Sequence, residues 1–257
     1  MTPEPSVEQS DARLAARLAE QAGRLLLELR TGSGLTGREL GSRGDAESNA
    51  LLLRELSAAR PGDAVLSEES ADSAERLSAS RVWIVDPLDG TREYGMGERT
   101  DWAVHVALWE RDHANSGITA AAVAQPALDT VYSSESAVAA AKERSGVFLV
   151  SDTRPPDWAA PVAAKLGAEL TSMGSAGAKA MAVLRGDADA YLHGGGQWEW
   201  DSAAPVGVAL AAGLHASRID GSPLVYNSEH PYLPDLLICR AELAGELLDA
   251  IASADTA

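Results

Sequence analysis

The segment WIVDPLDGT at residues 83–91 constrains the fold of this chain more strongly than any other feature of the sequence. Its first three residues are β-branched or aromatic, which is typical of a buried strand. Pro87 favours an extended backbone at Asp86, and the Asp-Gly pair that follows is a turn signal. Thr91 is suited to cap a short helix. The segment therefore predicts a strand, a sharp turn and a helix start, with two carboxylates directed toward one spot.

Two interpretations of this segment follow from its residues. Carboxylates beside the free backbone N–H groups of a helix start can hold a hard cation next to a phosphate. An ordinary Asp-Pro/Asp-Gly turn is the alternative, and the nine residues alone do not decide between the two. Acidic residues elsewhere in the chain favour the first interpretation.

The composition predicts a globular protein that does not bind nucleic acid. The formal net charge of the 257 residues is −17, which repels a phosphate backbone, so a phosphorylated substrate needs local cations. Cys239 is the only cysteine, which excludes an intrachain disulfide. No apolar run approaches the roughly 20 residues of a membrane span, and the first thirteen residues lack the features of a secretory signal. We therefore expect a cytoplasmic protein.

Helical periodicity dominates the first sixty residues. A stripe of leucine and alanine predicts a helix over residues 10–30, and a second helix is expected from about Ala46 to Ala59. The glycines of residues 31–44 predict a loop between them. Two arginines of this loop, Arg38 and Arg43, are candidates to bind phosphate.

The pattern then changes from helix to strand. The strand-like segments up to residues 146–150 predict an antiparallel region. Helix and strand patterns alternate after the polar, Pro-rich stretch at 151–156. This mixture predicts a layered α/β or α+β fold, with an N-terminal lobe (1–150) and a C-terminal lobe (151–257) joined in one compact unit.

Further acidic residues can join the two aspartates of the opening segment. Glu68 and Glu69 follow an apolar strand end, as Asp86 does, and strand ends at one sheet edge can converge. Asp201 follows a Gly-rich turn and precedes an Ala-rich helix, where helix capping is the alternative role.

Four carboxylates in one pocket would protonate or destabilise the fold unless cations neutralise them. Ligand sets made only of oxygen suit Mg²⁺ or Mn²⁺, and two or more such ions can bind a phosphate and activate water. The sequence contains no G-x-x-x-x-G-K-[ST] loop for a nucleoside triphosphate. These residues therefore indicate a phosphatase.

In their order along the chain, the acidic motifs resemble those of the Mg²⁺-dependent, lithium-sensitive phosphatases of the inositol monophosphatase superfamily. The resemblance extends from about residue 12 to 253. The positions that carry it are Asp45, Glu68-Glu69, Asp86-Pro87-Leu88-Asp89-Gly90-Thr91 and Trp200-Asp201. It implies a layered αβαβα sandwich of the inositol monophosphatase and fructose 1,6-bisphosphatase type, and a homodimer.

The resemblance also implies a set of metal ligands. A first Mg²⁺ would be held by Glu68, Asp86 and the backbone carbonyl of Leu88. A second would be held by Asp86, Asp89 and Asp201. Glu68 with waters could support a third ion, and Mn²⁺ is a possible substitute.

Catalytic roles are implied in the same way. Thr91 would help to deprotonate the attacking water, with its hydroxyl oriented by Asp45, and Glu68 completes the catalytic set. The N–H groups of Gly90 and Thr91 would bind phosphate at the helix start. Water would then attack phosphorus in line.

The segment GSAGAK at residues 174–179 resembles the CysQ-type phosphatases of 3′-phosphoadenosine 5′-phosphate (PAP). Ser175 could meet a substrate phosphate or sugar, and Lys179 could neutralise part of a second phosphate. His193 and Asp201 are further candidates for substrate contacts. A solvated helix lysine and a structural turn histidine are the alternatives for Lys179 and His193.

Aromatic residues near the last acid allow two roles. Trp198 and Trp200 could stack on adenine, which is worth roughly 1–3 kcal/mol per base, or they could belong to the core. We assign His105 and Trp109 to packing.

These observations predict a Mg²⁺-dependent enzyme of sulfur assimilation that removes the 3′-phosphate of PAP to give AMP. A broad-specificity phosphatase acting on inositol 1-phosphate or fructose 1,6-bisphosphate is one alternative. A non-catalytic, acidic metal-binding protein is an alternative of another class.

Overall fold

The computed structural model describes residues 10–112, 116–140 and 143–254. Within them the helices are α1 (Asp11–Gly32), α2 (Gly37–Ala59), α3 (Thr91–Gly95), α4 (Ala159–Lys165), α5 (Ala176–Leu184), α6 (Glu199–Ala211) and α7 (Ala244–Ala254). Residues 1–9, which were searched for a secretory signal, lie outside this part. No helix of the described residues is both long and apolar enough to cross a membrane.

Two five-stranded sheets form the framework of the described residues. The strands are β1 (Ala64–Ser67), β2 (Arg81–Asp89), β3 (Ala103–Glu110), β4 (Gly117–Gln125), β5 (Thr130–Ser133), β6 (Val147–Ser151), β7 (Glu169–Met173), β8 (Ala190–His193), β9 (Gln197–Trp198), β10 (His215–Ser217), β11 (Tyr232–Leu233) and β12 (Leu236–Cys239). The first sheet has the order β1-β2-β3-β4-β5 and the second β10-β12-β8-β6-β7, while β9 and β11 form a separate pair.

Alternation along β2 shows how the chain separates its layers. Val82 and Ile84 belong to a core shared with α5, α6 and the second sheet. Trp83 and Val85 belong to a core shared with α1 and α2. Successive side chains of a strand point to opposite faces, so the first sheet has helices on both sides.

A third core completes the layering. It joins the outer face of the second sheet to α4 and α7. The order of layers is thus helices α1 and α2, the first sheet, helices α5 and α6, the second sheet, and helices α4 and α7. The expected layered αβαβα sandwich is confirmed.

The predicted loop over residues 31–44 is wrong, because α2 already begins at Gly37. Two glycines that suggested a loop lie inside this helix and allow it to pack closely on the segment at residues 83–91. A Cβ at Gly41 would lie 2.7 Å from Cγ2 of Thr91, and one at Gly44 would lie 2.9 Å from Cδ2 of Leu88. These glycines serve helix packing and not a turn.

The assignment of β6 to an antiparallel region is also wrong. β6 lies in the second sheet and pairs in parallel with β7 and β8. The pattern did not reveal this, because β7 (ELTSM) is polar and has mostly exposed or half-buried side chains. The change of sheet falls between β5 and β6. A division into two lobes remains our proposal.

Candidate active site

An irregularity in β2 places its two aspartates together. Residues three apart in a regular strand point to opposite faces. In the pairing of β2 with β3, Asp86 lies opposite His105 and Asp89 opposite Ala103, so the register shifts by one residue between them. Such a bulge re-aims the following side chain, and Pro87 suits it because it has no N–H to donate.

Glu68 reaches the same place from the neighbouring strand. β1 pairs in parallel with β2, with Ser67 opposite Val85, so Glu68 follows β1 beside Asp86. The N–H of Glu68 lies 3.4 Å from the carbonyl oxygen of Val85. The predicted convergence of two strand ends is therefore observed.

Asp201 comes from the first turn of α6. Its Oδ2 accepts a hydrogen bond of 2.6 Å from the backbone N–H of Trp198. Capping thus uses one carboxylate oxygen and leaves the other available. One oxygen each from Asp86, Asp89 and Asp201 lies within 4.8 Å of the others.

The acids of this cluster repel one another and are poorly solvated. Burial raises the pKa of Asp86, which is only 1% exposed, well above its usual range, and the charges of Glu68, Asp89 and Asp201 add to this effect. Burial and the charge of Asp89 raise the pKa of Asp201 to about 6. Although Glu68 as a residue is exposed, desolvation of its carboxyl group and the charge of Asp201 raise its pKa to about 8. The cluster is thus short of positive charge.

Asp89 is held by the N-terminal end of α5. Its Oδ2 accepts hydrogen bonds from the Ser175 hydroxyl and the Gly177 N–H, and its Oδ1 accepts one from the Ala176 N–H at 3.1 Å. The Ser175 hydroxyl oxygen in turn accepts from the Ala178 N–H. Ser175 therefore positions Asp89, and its predicted substrate contact stays a prediction.

His105 also contacts Asp89, and the sequence pattern did not show this. The buried ring places Nε2 3.2 Å from Oδ2 of Asp89 and Nδ1 3.1 Å from the carbonyl oxygen of Trp200. Burial alone would raise the pKa of Asp89, but His105 and the donors of Ser175 and Gly177 lower it to about 2. A histidine on an alternating strand gave no signal that distinguishes this role from packing.

The Asp-Gly turn and α2 together position Thr91. Gly90, with φ +86°, is the N-cap of α3, so Thr91 is the first helical residue and not the cap that we expected. The Thr91 hydroxyl oxygen lies 3.1 Å from Oδ1 of Asp45 and 3.1 Å from the carbonyl oxygen of Leu88. Burial and the charge of Glu69 raise the pKa of Asp45 to about 7.

Lys179 is buried and is not the solvated helix lysine of the alternative interpretation. It is 3% exposed, and its Nζ donates to the backbone carbonyls of Met173, Gly174 and Ser175. Burial lowers its pKa to about 8. An ammonium group has three donors, so the chain itself occupies all of them. Lys179 therefore supports the Ser175 turn, and its predicted contact with a second phosphate stays a prediction.

A cleft of about 260 Å³ lies over the acids, and its lining includes Asp89, Thr91, Asp201 and His193. Trp198 and Trp200 do not line it. Their rings stack on each other with centroids 5.4 Å apart, which favours the packing alternative over stacking on adenine.

The donor set fits hard divalent cations. The available groups are carboxylate oxygens and the Leu88 carbonyl, which are the ligands that Mg²⁺ and Mn²⁺ prefer. Asp89 retains acceptor capacity on Oδ1, because a carboxylate oxygen has about two acceptor sites and Ala176 uses one.

Comparisons with known proteins agree with this geometry. The model of the inositol monophosphatase family matches residues 8–254. The chain is similar to a 3′-phosphoadenosine 5′-phosphate phosphatase of Mycobacterium leprae, with 57% identity over 256 residues that cover 95% of this chain and 94% of the relative. It is 31% identical to the 3′(2′),5′-bisphosphate nucleotidase CysQ of Salmonella typhimurium, over 74% of this chain and 80% of that protein.

A solved structure shows the same fold. An inositol monophosphatase from Zymomonas mobilis superposes with a TM-score of 0.75 at 20% identity, covering 96% of this chain and 100% of that one. Since the family model spans nearly all of the described residues and contains the gathered acids, the chain belongs to the inositol monophosphatase family.

Proposed function

We propose that this chain is a Mg²⁺-dependent phosphomonoesterase that hydrolyses the 3′-phosphate of PAP to give AMP and phosphate. The convergence of Asp86, Asp89 and Asp201 within 4.8 Å carries the proposed chemistry. The substrate is supported by relatives named as PAP phosphatases, which are 57% and 56% identical over 95% and 91% of this chain.

Glu68, Asp86, Asp89, Asp201 and the Leu88 carbonyl would hold the ions. Bound Mg²⁺ would lower the pKa of water and stabilise the negative charge on the phosphate and the leaving oxygen. The raised pKa values of Asp86, Asp201 and Glu68 support this assignment, because cations would remove the repulsion that causes them.

Thr91 and Asp45 would handle the proton of the attacking water, which their mutual hydrogen bond supports. The Thr91 hydroxyl has one proton, and donating it to Asp45 leaves its oxygen able to accept a hydrogen bond from water. Asp45, with a pKa of about 7, suits a proton acceptor at neutral pH. If the Thr91 proton goes to Asp45, the Leu88 carbonyl stays free for a cation.

The first turn of α3 would bind the phosphate. The first N–H groups of a helix have no partner within it, and these are contributed by residues next to the acids, including Gly90 and Thr91. Together with the acids, this turn would orient phosphorus for in-line attack by water.

Other properties remain predictions. They are lithium sensitivity, the use of Mn²⁺, two or three bound ions, a role in sulfur assimilation, a homodimer, a cytoplasmic location, and substrate contacts by Ser175, Lys179, His193 and Asp201.

Phosphate release from PAP, inositol 1-phosphate and fructose 1,6-bisphosphate tests the proposal, with Mg²⁺, without it, and with added Li⁺. We expect Mg²⁺-dependent release that is fastest from PAP and slowed by Li⁺. A preference for inositol 1-phosphate would refute the PAP assignment alone. No release from any of the three would refute the enzyme and leave the metal-binding alternative.

A further inference from the structure

Part of the cleft carries buried polar atoms without a partner among the described residues. These atoms are both ring nitrogens of His193 and Oε1 of Gln197. The two residues line the cleft together and are 2% and 5% exposed. A buried polar atom that lacks a hydrogen bond destabilises the protein, so these atoms favour a hydrogen-bonding ligand in this part of the cleft.

A cation that forms no ion pair within the described ranges lines the same cleft. Arg92, Arg154 and Lys179 line the cleft. Arg92 is paired with Glu93 and Asp152. The donors of Lys179 are occupied by backbone carbonyls.

Arg154 differs from both. Its one side-chain hydrogen bond within the described residues, 2.9 Å from Nη1, goes to the neutral carbonyl oxygen of Gly196. No carboxylate of the described ranges lies within ion-pair distance of it. Most of the N–H groups of this guanidinium therefore remain available, and a guanidinium presents them in a planar fork that matches phosphate.

The chain fixes Arg154 through the Gly-rich turn before α6. Gly196 has φ +82°, and a Cβ there would lie 2.4 Å from Nη1 of Arg154. The backbone N–H of Arg154 donates to the hydroxyl oxygen of Ser151 at the end of β6. A glycine in this left-handed conformation is therefore needed for the guanidinium to approach the turn.

We propose that Arg154, Gln197 and His193 form a specificity subsite, in which Arg154 binds the second phosphate of a nucleoside bisphosphate and the other two bind its ribose hydroxyl. This inference rests on the proposed function and names the groups that select the substrate. Arg154 would also supply the local positive charge that a phosphorylated substrate requires in a chain with a net charge of −17.

A hydroxyl matches the groups that line this part of the cleft. It donates one hydrogen bond and accepts others, whereas Oε1 of Gln197 only accepts. Burial, together with the charges of Lys179 and Arg154, lowers the pKa of His193 to about 4. The ring is therefore neutral at pH 7, with one donor and one acceptor.

The first test compares PAP with adenosine 3′-monophosphate, which lacks the second phosphate. A charge-assisted hydrogen bond is worth about 1.5–3 kcal/mol, and Arg154 is exposed, so we take the lower end. Arg154→Met should lower kcat/KM for PAP about tenfold, chiefly through KM, and change it less than about twofold for the monophosphate. Arg24→Met, in an exposed pair with Glu20 on α1, is the matched control and should change neither. An equal loss on both substrates, or no loss on PAP, would overturn the role of Arg154.

The second test uses the 2′-deoxy analogue of PAP on the unaltered enzyme. Loss of one hydrogen bond predicts about a tenfold lower kcat/KM. Gln197→Met should make the two substrates nearly equal, and thermal unfolding would verify that it folds. Equal rates for the two substrates in the wild type would overturn the hydroxyl assignment without any variant.

The same assay distinguishes failure of the subsite from failure of the proposed function. A wild type that is active on PAP, with Arg154→Met equally active, refutes the subsite alone. A wild type that releases phosphate from inositol 1-phosphate but not from PAP refutes the proposed function and the subsite with it.

Discussion

Carboxylates gathered in one pocket repel one another without metal and can bind Mg²⁺. Replacing Asp86 by asparagine should separate these two effects. The side chain is 1% exposed, and its Oδ1 accepts a 3.0 Å hydrogen bond from the Leu88 N–H. The amide oxygen of asparagine can accept the same bond in nearly the same volume. The substitution therefore removes a charge and a metal ligand while it preserves the turn.

The effect of Asp86→Asn on stability should have opposite signs without metal and with Mg²⁺. Without metal, Asp86→Asn should be at least as stable as the wild type, because burial and three neighbouring acids oppose the charged form. With Mg²⁺ at a hundred times its dissociation constant, the wild type gains about 2.7 kcal/mol. For a chain of this size that is about 5–10 °C in Tm. The variant should lose most of this gain and about three orders of magnitude in kcat, since such ions supply several kcal/mol to the transition state.

Thermal unfolding with EDTA and with Mg²⁺, alongside phosphate release from PAP, provides the readout. Asp129→Asn is a matched control, since Asp129 is exposed and has a positive φ that asparagine tolerates. The reasoning would be refuted by an Asp86→Asn protein that keeps the full Mg²⁺ shift in Tm. Strong destabilisation of that variant in EDTA would also refute it.

Two further predictions concern the support of the site and its pH dependence. Gly177→Ala would place a Cβ 2.1 Å from Nε2 of His105, so we expect about 1–3 kcal/mol of destabilisation in urea and slower phosphate release. Gly245→Ala, which meets no atom within 4 Å, should not destabilise, and an equal loss in both variants would contradict the proposed contact. The pKa of Glu68 is raised to about 8 and that of Asp201 to about 6. In the metal-free protein, the stability that these two groups contribute is therefore present at low pH and is lost as the pH rises through those values. The Tm difference between Mg²⁺-bound and metal-free protein should therefore widen from pH 5 to pH 8, and a constant difference would count against the assignment.

Local patterns predicted a layered fold and the acids, whereas the αβαβα order of layers came from the family resemblance. The apolar run of β2 and the acid at the end of β1 were legible from residue type alone, but the assignment of alternate β2 side chains to two cores was not. The bulge that brings Asp86 and Asp89 to one face was not, because it exists only in the pairing with β3.

The failures share a physical cause. The glycines of α2 were interpreted as a loop, because the local sequence does not show that they pack against Thr91 and Leu88 far along the chain. The hydrogen bonds from Lys179 to three backbone carbonyls were not predicted, because the fold of the turn before α5 brings those carbonyls together. His105 was assigned to packing, since its neighbour Asp89 comes from another strand. Each role depends on tertiary contacts that no local pattern records.

A Mg²⁺ titration of PAP hydrolysis tests the central claim most directly. Protein freed of metal with EDTA would be mixed with PAP, and AMP and phosphate would be measured together as Mg²⁺ is added. We predict no product at first, then saturable formation of both in equal amounts. Undiminished hydrolysis in EDTA, or no hydrolysis at any Mg²⁺ concentration, would contradict the proposal that these acids bind the ions used to hydrolyse PAP.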